Sequence, residues 1–239
     1  MWQAPIPPNE VYRMVSLKEL NMLDTPREER FELITKLAIK IFTVPISTLT
    51  LVDKEREWFK SCQGLENIEG ERAISFCGHA LLADETLVVE DTLTDERFKD
   101  NPMVVGSPFI RFYAGIPIFS LDGQRVGVMC IKDIKPKKLS EVNLYLLKAM
   151  TSWAEIELNL VKLQEILARY KNGTWADDDA EKLRGVVSRI VEREVEENLK
   201  SLIFAIEPLI SDKNSKDEYR KSIKNILELI NSLKEIVKI

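Results

Sequence analysis

Hydrophobic and polar residues follow a helical pattern at the start of the chain and a strand pattern after Pro45. Apolar spacing predicts a short helix within residues 9–22 and a second helix with Thr25 as N-cap and Pro26 at its first position. β-branched and aromatic runs then predict strands, and Asp122-Gly123 predicts a tight hairpin turn. The predicted strands are 46–52, 57–62, 87–90, 109–119 and 125–131. Together these patterns indicate an α+β fold with an antiparallel sheet.

From Ser140 onward the chain is predicted to be helical. Apolar residues across 142–170 alternate steps of four and three, which is the spacing of a coiled-coil seam. We expect the part of this helix after about Ile156 to pack against a partner helix. A break at 171–173 precedes a helix to about Ile210 and then a last helix. Their apolar faces are too wide for two helices alone, so we expect an antiparallel hairpin that forms a four-helix bundle in a dimer.

Five segments in the first part of the chain carry a family resemblance. They are LDTPREERFELITKLA (23–38), VPISTLTLVDKEREWFKSCQGL (44–65), ISFCGHALLADETLVVEDTLTDERFKDNP (74–102), IRFYAGIPI (110–118) and GVMCIKD (127–133). These segments resemble the GAF domain, in the subtype often found upstream of histidine kinase or diguanylate cyclase modules. The resemblance implies a central antiparallel sheet flanked by helices, a pocket under the long loop 91–109, and a sensing role without a defined ligand.

The C-terminal helices carry a second resemblance, in ENLKSLIFAIEPLI (197–210) and EYRKSIKNILELINSLKEIVKI (218–239). They are similar to the dimerisation and phosphoacceptor hairpin of sensor histidine kinases, and generic helical-hairpin similarity is the alternative. On this alignment Glu197 occupies the phosphoacceptor position, and the chain ends before an ATP-binding domain. The resemblance therefore implies a degenerate dimer scaffold without phosphotransfer chemistry.

These patterns divide the chain into four parts. We expect an N-terminal segment with a short helix at 1–22, a GAF domain at 23–139, a connecting coiled-coil helix at 140–171 and a helical hairpin at 174–239.

Composition and charge exclude several classes of partner. The net charge is −5 and no basic block stands out, so nucleic acid is not an expected partner. No apolar run approaches the roughly 20 residues of a membrane span, and the N-terminus lacks a signal-peptide layout. We expect a cytoplasmic protein that binds neither nucleic acid nor membrane.

The pair Cys77 and His79 raises the question of chemistry, because His79 is the single histidine and the chain has three cysteines. On a helix, positions i and i+2 point in different directions, so a nucleophile–base pair or a metal site is not expected. Cys77 could simply pack, or its helix N-terminus could lower its pKa and make it a redox sensor. Some GAF domains reduce free methionine sulfoxide with pocket cysteines, but residues 91–102 lack the partner cysteine. Others attach a bilin through a cysteine followed directly by histidine, whereas Gly78 intervenes here.

Two further segments bear on a pocket. Arg111 and Tyr113 share one face of a predicted strand, where Arg111 either binds a carboxylate or phosphate ligand or pairs with Asp53 or Asp133. Of the neighbours Trp58 and Phe59, we expect one to be buried and one exposed. The predicted ligand pocket consists of Trp58, Phe76, Cys77, His79, Arg111 and Tyr113.

We therefore expect a non-catalytic signalling protein. Its GAF domain binds an unidentified small molecule or a partner, and it forms a homodimer through 140–171 and 174–239 that acts on a downstream signalling protein. One alternative is a thiol-based redox sensor or reductase that uses Cys77. The other is a structural adaptor with an empty GAF pocket. No cofactor or metal is indicated.

Overall fold

The computed structural model describes residues 1–83, 85–174, 177–192 and 194–237. None of the helices in these ranges is both long and apolar enough to span a bilayer. The elements in chain order are α1 (Glu10–Glu19), α2 (Glu29–Phe42), β1 (Ile46–Val52), β2 (Arg56–Gln63), β3 (Glu69–Glu71), α3 (Phe76–Ala80), β4 (Leu87–Val89), α4 (Pro102–Val105), β5 (Phe112–Phe119), β6 (Arg125–Asp133), α5 (Glu141–Lys171), α6 (Asp177–Glu192), α7 (Val195–Ile206) and α8 (Lys213–Val237).

The strands form one antiparallel sheet in the order β3-β2-β1-β6-β5-β4, which confirms the predicted α+β fold. At its centre, Thr48 of β1 pairs with Cys130 of β6, and Cys130 pairs on its other side with Gly115 of β5. The predicted turn between β5 and β6 is also confirmed, with Gly123 at a φ of 81°. A strand that is hydrogen-bonded on both sides has little freedom to move, so Cys130 occupies a well-fixed position.

Both faces of the sheet are covered. The helix face, which packs against α2 and α5, buries residues such as Leu49 and Ile131. The loop face, which lies under α3 and residues 91–110, buries residues such as Phe76 and Val128. All seven residues of β1 are consequently buried, whichever face each side chain points to.

The start of α2 differs from the prediction. Thr25 is not its N-cap, because the helix begins at Glu29. The Thr25 hydroxyl donates to the Met22 carbonyl over 2.7 Å and accepts a hydrogen bond from the buried Lys60 ammonium over 2.7 Å. The Pro26 carbonyl accepts from the same ammonium over 2.9 Å. A buried cation must be solvated by protein oxygens, so these two residues serve Lys60 and the helix begins later.

Helix α5 connects the sheet to the C-terminal helices. Ser140 caps it by accepting a hydrogen bond from the Asn143 N–H over 3.1 Å. Along its length it packs on the helix face of the sheet and on α6 and α7 of the same chain, and its second half buries Leu163 and Ile166. These seam positions, which the sequence assigns to a partner helix, are thus covered within the chain. Val161 remains 52% exposed.

The first helix of the predicted hairpin is interrupted. The sequence predicts one helix to about Ile210, but α6 ends at Glu192, Glu194 adopts a φ of 52°, and α7 begins at Val195. This left-handed residue redirects the chain, so α7 packs on α5 while α8 packs on both α6 and α7. Residues 238 and 239, which the prediction includes in the hairpin, lie outside the described residues.

Candidate functional site

The short helix α3 places Cys77 over the loop face. Ser75 is its N-cap and accepts a hydrogen bond from the Gly78 N–H over 3.0 Å. The Ser75 hydroxyl also donates to the carboxylate of Glu57, which is buried on β2. A Cβ at Gly78 would lie 2.6 Å from the Ala4 Cβ, so glycine is needed where the N-terminal segment crosses α3. The residue between Cys77 and His79 therefore has a packing role.

A second cysteine lies beside Cys77. The Sγ atoms of Cys77 and Cys130 are 3.7 Å apart, and both residues are fully buried. Thr48 Oγ1 lies 3.0 Å from Cys130 Sγ, and Thr50 Oγ1 lies 3.6 Å from Cys77 Sγ. The two threonine hydroxyls are themselves 2.8 Å apart. Two thiols and two hydroxyls thus form one hydrogen-bonded cluster, which we call the thiol cluster.

Tyr113 and two phenylalanines close the thiol cluster from the side of the long loop. The Tyr113 hydroxyl donates to Cys77 Sγ over 3.5 Å. Its position depends on Gly115, since a Cβ there would lie 2.2 Å from the tyrosine oxygen. Phe76 stacks between Tyr113 and Phe98, with ring centroids 5.1 and 4.4 Å away. The space that the resemblance assigns to a ligand is therefore occupied by aromatic side chains.

The loop face also buries two opposite charges, on Glu57 and Lys132. Lys132 follows Cys130 by two residues on β6, so both side chains project from the same face. The Lys132 ammonium lies 5.7 Å from the centroid of the Phe59 ring. Burial disfavours a charged lysine, but the neighbouring acidic groups, chiefly Cys130 and also Glu57, raise the pKa of Lys132. The lysine is therefore cationic beside the thiols.

This environment shifts the pKa values of the two thiols in opposite directions. Burial raises the pKa of Cys77 well above the ordinary value, and the neighbouring Cys130 raises it further. Burial acts in the same direction on Cys130, but the hydrogen bond with Cys77, the charge of Lys132 and the Thr48 hydroxyl together lower its pKa below the ordinary value. Burial and the same two sulfurs raise the pKa of the Tyr113 hydroxyl well above its ordinary value. The environment therefore favours ionisation of Cys130 over ionisation of Cys77.

Trp58 is not part of this site, contrary to the prediction. It is buried in the helix-face core, with its ring 5.9 Å from the ammonium of Lys60. The expectation that only one of Trp58 and Phe59 is buried is also wrong, since they are 5% and 6% exposed. The reason is that both faces of β2 are covered.

His79 lies near the site but is directed toward the N-terminal segment. Its Nε2 is 3.2 Å from the carbonyl oxygen of Trp2, and its ring packs edge-on against Phe98 with centroids 4.8 Å apart. Burial lowers its pKa. The imidazole fixes the segment that crosses α3.

Arg111 holds the long loop in place. It lies just before β5, and its Nη1 donates to the carbonyl oxygens of Val104 and Ile110 over 2.8 and 3.0 Å. Neither predicted ion pair forms, because Asp53 pairs with Arg56 and Asp133 pairs with Lys137. The guanidinium thus ties the end of α4 to the residue before β5. Of the six predicted pocket residues, the structure brings only Phe76, Cys77 and Tyr113 together at the thiol cluster.

The sequence prediction missed the polar residues that the strands contribute to the site. One signal was present, since polar side chains recur at alternate positions within otherwise apolar strands. Side chains at alternate positions of a strand project from the same face of the sheet, so the strand assignment alone places these polar residues together on one face. The missed residues are Thr48, Thr50, Glu57, Cys130 and Lys132.

An open cleft lies away from the loop face, between β5, α5 and the junction of α6 and α7. It has a volume of about 370 Å³, and its lining includes Ile116, Tyr145, Lys148, Glu194 and Asn198. Among the residues that the structure describes, no group of three or more His, Cys, Asp or Glu side chains is placed to hold a metal ion.

Residues 26–158 match the family model of the GAF domain. Over 137 residues the chain is 36% identical to the cyclic di-GMP phosphodiesterase PA2567 of Pseudomonas aeruginosa. That alignment covers 57% of this chain and 23% of the relative, so most of the relative has no counterpart in the match.

Two solved structures have a similar fold. The GAF domain from Acinetobacter phosphoenolpyruvate-protein phosphotransferase has a TM-score of 0.47 at 15% identity, covering 64% of this chain and 93% of that one. Type II free methionine-R-sulfoxide reductase from Thermoplasma acidophilum has a TM-score of 0.46 at 12% identity, covering 59% of this chain and 94% of that one. Because the family model spans more than half of the sequence, this protein belongs to the GAF domain family.

Proposed function

We propose that this protein is a non-catalytic signalling protein whose GAF domain responds to a small molecule or a partner. In this proposal residues 23–139 form the sensor domain and residues 140–171 connect it to the C-terminal helices. Residues 174–239 form the output module, which acts on a downstream signalling protein. The observation that carries it is the position of α5, which packs both on the sheet and on the C-terminal helices of the same chain.

Specific contacts tie α5 to the end of β5. Asn159 Nδ2 donates to the Phe119 carbonyl over 2.8 Å, and the Phe119 N–H donates to Glu155 Oε2 over 3.1 Å. A displacement of β5 therefore acts directly on α5. Packed helices have discrete arrangements rather than a continuous range, so a small displacement can switch their packing.

The closed loop face supports a coupling between binding and movement. Phe76 and Phe98 fill the space under residues 91–110, so a ligand there must displace these rings and the loop. A ligand shifts the protein between two states only if it binds them with different affinity. Binding that requires an opened loop face meets this condition, because the closed state excludes the ligand.

We further propose that the C-terminal helices form a homodimer and derive from a histidine kinase dimerisation hairpin without phosphotransfer chemistry. Exposed apolar residues support this interface, namely Val161 on α5, Phe204 on α7 and Leu209 after it. Glu197 and Phe204 are seven residues apart, which places both on one side of α7. The position assigned to the phosphoacceptor thus lies on the same side of α7 as the exposed phenylalanine, about two turns away along the helix.

Native mass spectrometry of freshly purified protein tests this function. We expect a dimer with added mass from a retained small molecule, and hydrogen exchange in α5–α8 that changes when that molecule is removed. A structural adaptor with an empty pocket gives the bare mass of the chain. A retained molecule whose removal leaves exchange in α5–α8 unchanged contradicts the proposed transmission.

A further inference from the structure

The thiol cluster has no part in the signalling function proposed above. We propose that Cys77 and Cys130 form a redox-active dithiol that a small hydroperoxide oxidises to a disulfide. This reaction needs neither the dimer nor the output helices. It follows from the arrangement of two buried thiols on elements of unequal rigidity.

The distance between the sulfurs permits the reaction. They are 3.7 Å apart, whereas a disulfide requires about 2.05 Å, so they must approach by about 1.7 Å. Cys130 is held on a central strand between β1 and β5. Cys77 lies on a helix of five residues, so α3 and the Cys77 side chain make the movement.

The surroundings assign a different role to each sulfur. Thr48 and Cys77 are both within hydrogen-bond distance of Cys130 Sγ, and the cationic Lys132 projects from the same face of β6. A thiolate is the form that attacks peroxides, so Cys130 is the nucleophile. Cys77 keeps its proton and acts as the resolving thiol.

The oxidation balances with the hydroperoxide as the only oxidant. The Cys130 thiolate attacks the terminal oxygen of ROOH, an S–O bond forms, the O–O bond breaks and RO⁻ leaves. Cys77 sulfur then attacks the sulfur of the Cys130 sulfenic acid, the S–S bond forms, and hydroxide leaves with the Cys77 proton as water. RO⁻ takes up the proton that Cys130 had released to solvent, so the dithiol loses two electrons and the peroxide gains them. Hydrogen peroxide reaches the buried site when the loop that covers it opens.

Cys62 provides an internal control. It lies near the end of β2, and its Sγ is 3.8 Å from the Leu65 carbonyl oxygen. Burial raises its pKa, so it remains protonated at neutral pH. A reaction that depends on the thiol cluster should leave Cys62 reduced.

The test oxidises the full chain with hydrogen peroxide at pH 7, alkylates the remaining thiols after unfolding, and maps the peptides without reduction. We expect loss of two of the three thiols, one disulfide between Cys77 and Cys130, and an alkylated Cys62. The Cys62→Ser variant should form the same disulfide. Cys77→Ser should form none and leave Cys130 as a sulfenic acid that dimedone traps. Cys130→Ser should slow oxidation of Cys77 by about tenfold or more.

The wild-type peptide map decides the proposal even if a cysteine variant misfolds. Three free thiols, after a treatment that fully oxidises free cysteine, overturn it. A disulfide that involves Cys62, or dimedone labelling of Cys77 in place of Cys130, also overturns it.

Discussion

Arg189 of α6 forms an ion pair with Glu155 of α5, in which the nitrogen Nε lies 3.5 Å from Oε1. The same guanidinium donates from Nη2 to the Ser120 carbonyl over 3.1 Å, next to the turn between β5 and β6. The two charged side chains are only 19% and 12% exposed. One arginine therefore joins the end of β5, α5 and α6.

We expect Arg189→Met to loosen α6 from the rest of the molecule. The change removes the ion pair with Glu155 and the hydrogen bond to the Ser120 carbonyl, which should lower the free energy of local opening of α6 by about 1–2 kcal/mol. Amide hydrogen exchange across α6 measures this change. The matched control is Arg184→Met, an exposed position on the same helix, with an expected effect below about 0.5 kcal/mol. Equal protection in both variants would show that the ion pair does not hold α6.

Phe204→Glu should weaken the proposed homodimer. Phe204 is 77% exposed in the single chain, so a charge there should not disturb the fold, but it cannot be buried at an apolar interface without large cost. We expect the dimer dissociation constant, measured by analytical ultracentrifugation, to rise by about tenfold or more.

Val11→Glu is the control for this interface, because Val11 is 76% exposed on α1 and outside the proposed dimer surface. It should leave the dissociation constant unchanged. A wild-type chain that sediments as a folded monomer at micromolar concentration would remove the basis for the dimeric output.

Local features of the fold were predictable from the sequence because short-range physics determines them. The turn at Gly123 needs a residue that tolerates positive φ, and the N-cap at Ser75 needs a short side chain with an acceptor oxygen. Neither depends on the rest of the chain. The break before α7 was missed because the apolar periodicity continues through it, and packing against α5 decides where the helix ends.

The thiol cluster was missed for a topological reason. Cys77 and Cys130 are 53 residues apart, and they meet only because α3 crosses the sheet above β6. No local pattern records that crossing. The late start of α2 has a similar cause. Lys60, which is distant in sequence on β2, donates hydrogen bonds to the Thr25 hydroxyl and the Pro26 carbonyl.

Glu10 should make the fold sensitive to acid. Its carboxylate accepts hydrogen bonds from the buried Arg13 over 2.8 Å and from the buried Arg72. Partial burial acts against ionisation, but the two guanidinium groups lower the pKa of Glu10 to about 2. A carboxyl whose pKa is lower in the folded state stabilises the fold above its ordinary pKa of about 4.3, and this contribution is lost as the pH falls toward 2.

Glu10→Gln tests this contribution. Because solvent screens the exposed part of the carboxylate, we expect the free energy of unfolding at pH 7 to fall by about 1–2 kcal/mol. The difference from wild type should shrink between pH 4.5 and 2, as followed by urea denaturation. Glu19→Gln, at an exposed surface pair with Lys162, should change stability by less than about 0.5 kcal/mol. A pH-independent difference at Glu10 would contradict the electrostatic origin.

Lys132→Met should raise the pKa of Cys130. In the folded protein, burial and the charge of Glu57 act against ionisation of this thiol, while the charge of Lys132 and two hydrogen bonds outweigh them and lower its pKa. Without the cation, burial and Glu57 still raise the pKa of Cys130, and only the hydrogen bonds with Thr48 and Cys77 lower it. In a Cys62→Ser background, the midpoint of the thiolate ultraviolet absorbance against pH should therefore move upward by about one unit or more. Lys60→Met is the control, because this buried lysine lies on the helix face.

Equal midpoints in the two lysine variants would mean that Lys132 does not select Cys130 as the thiolate. In that case the two variants should also be oxidised at equal rates at pH 7.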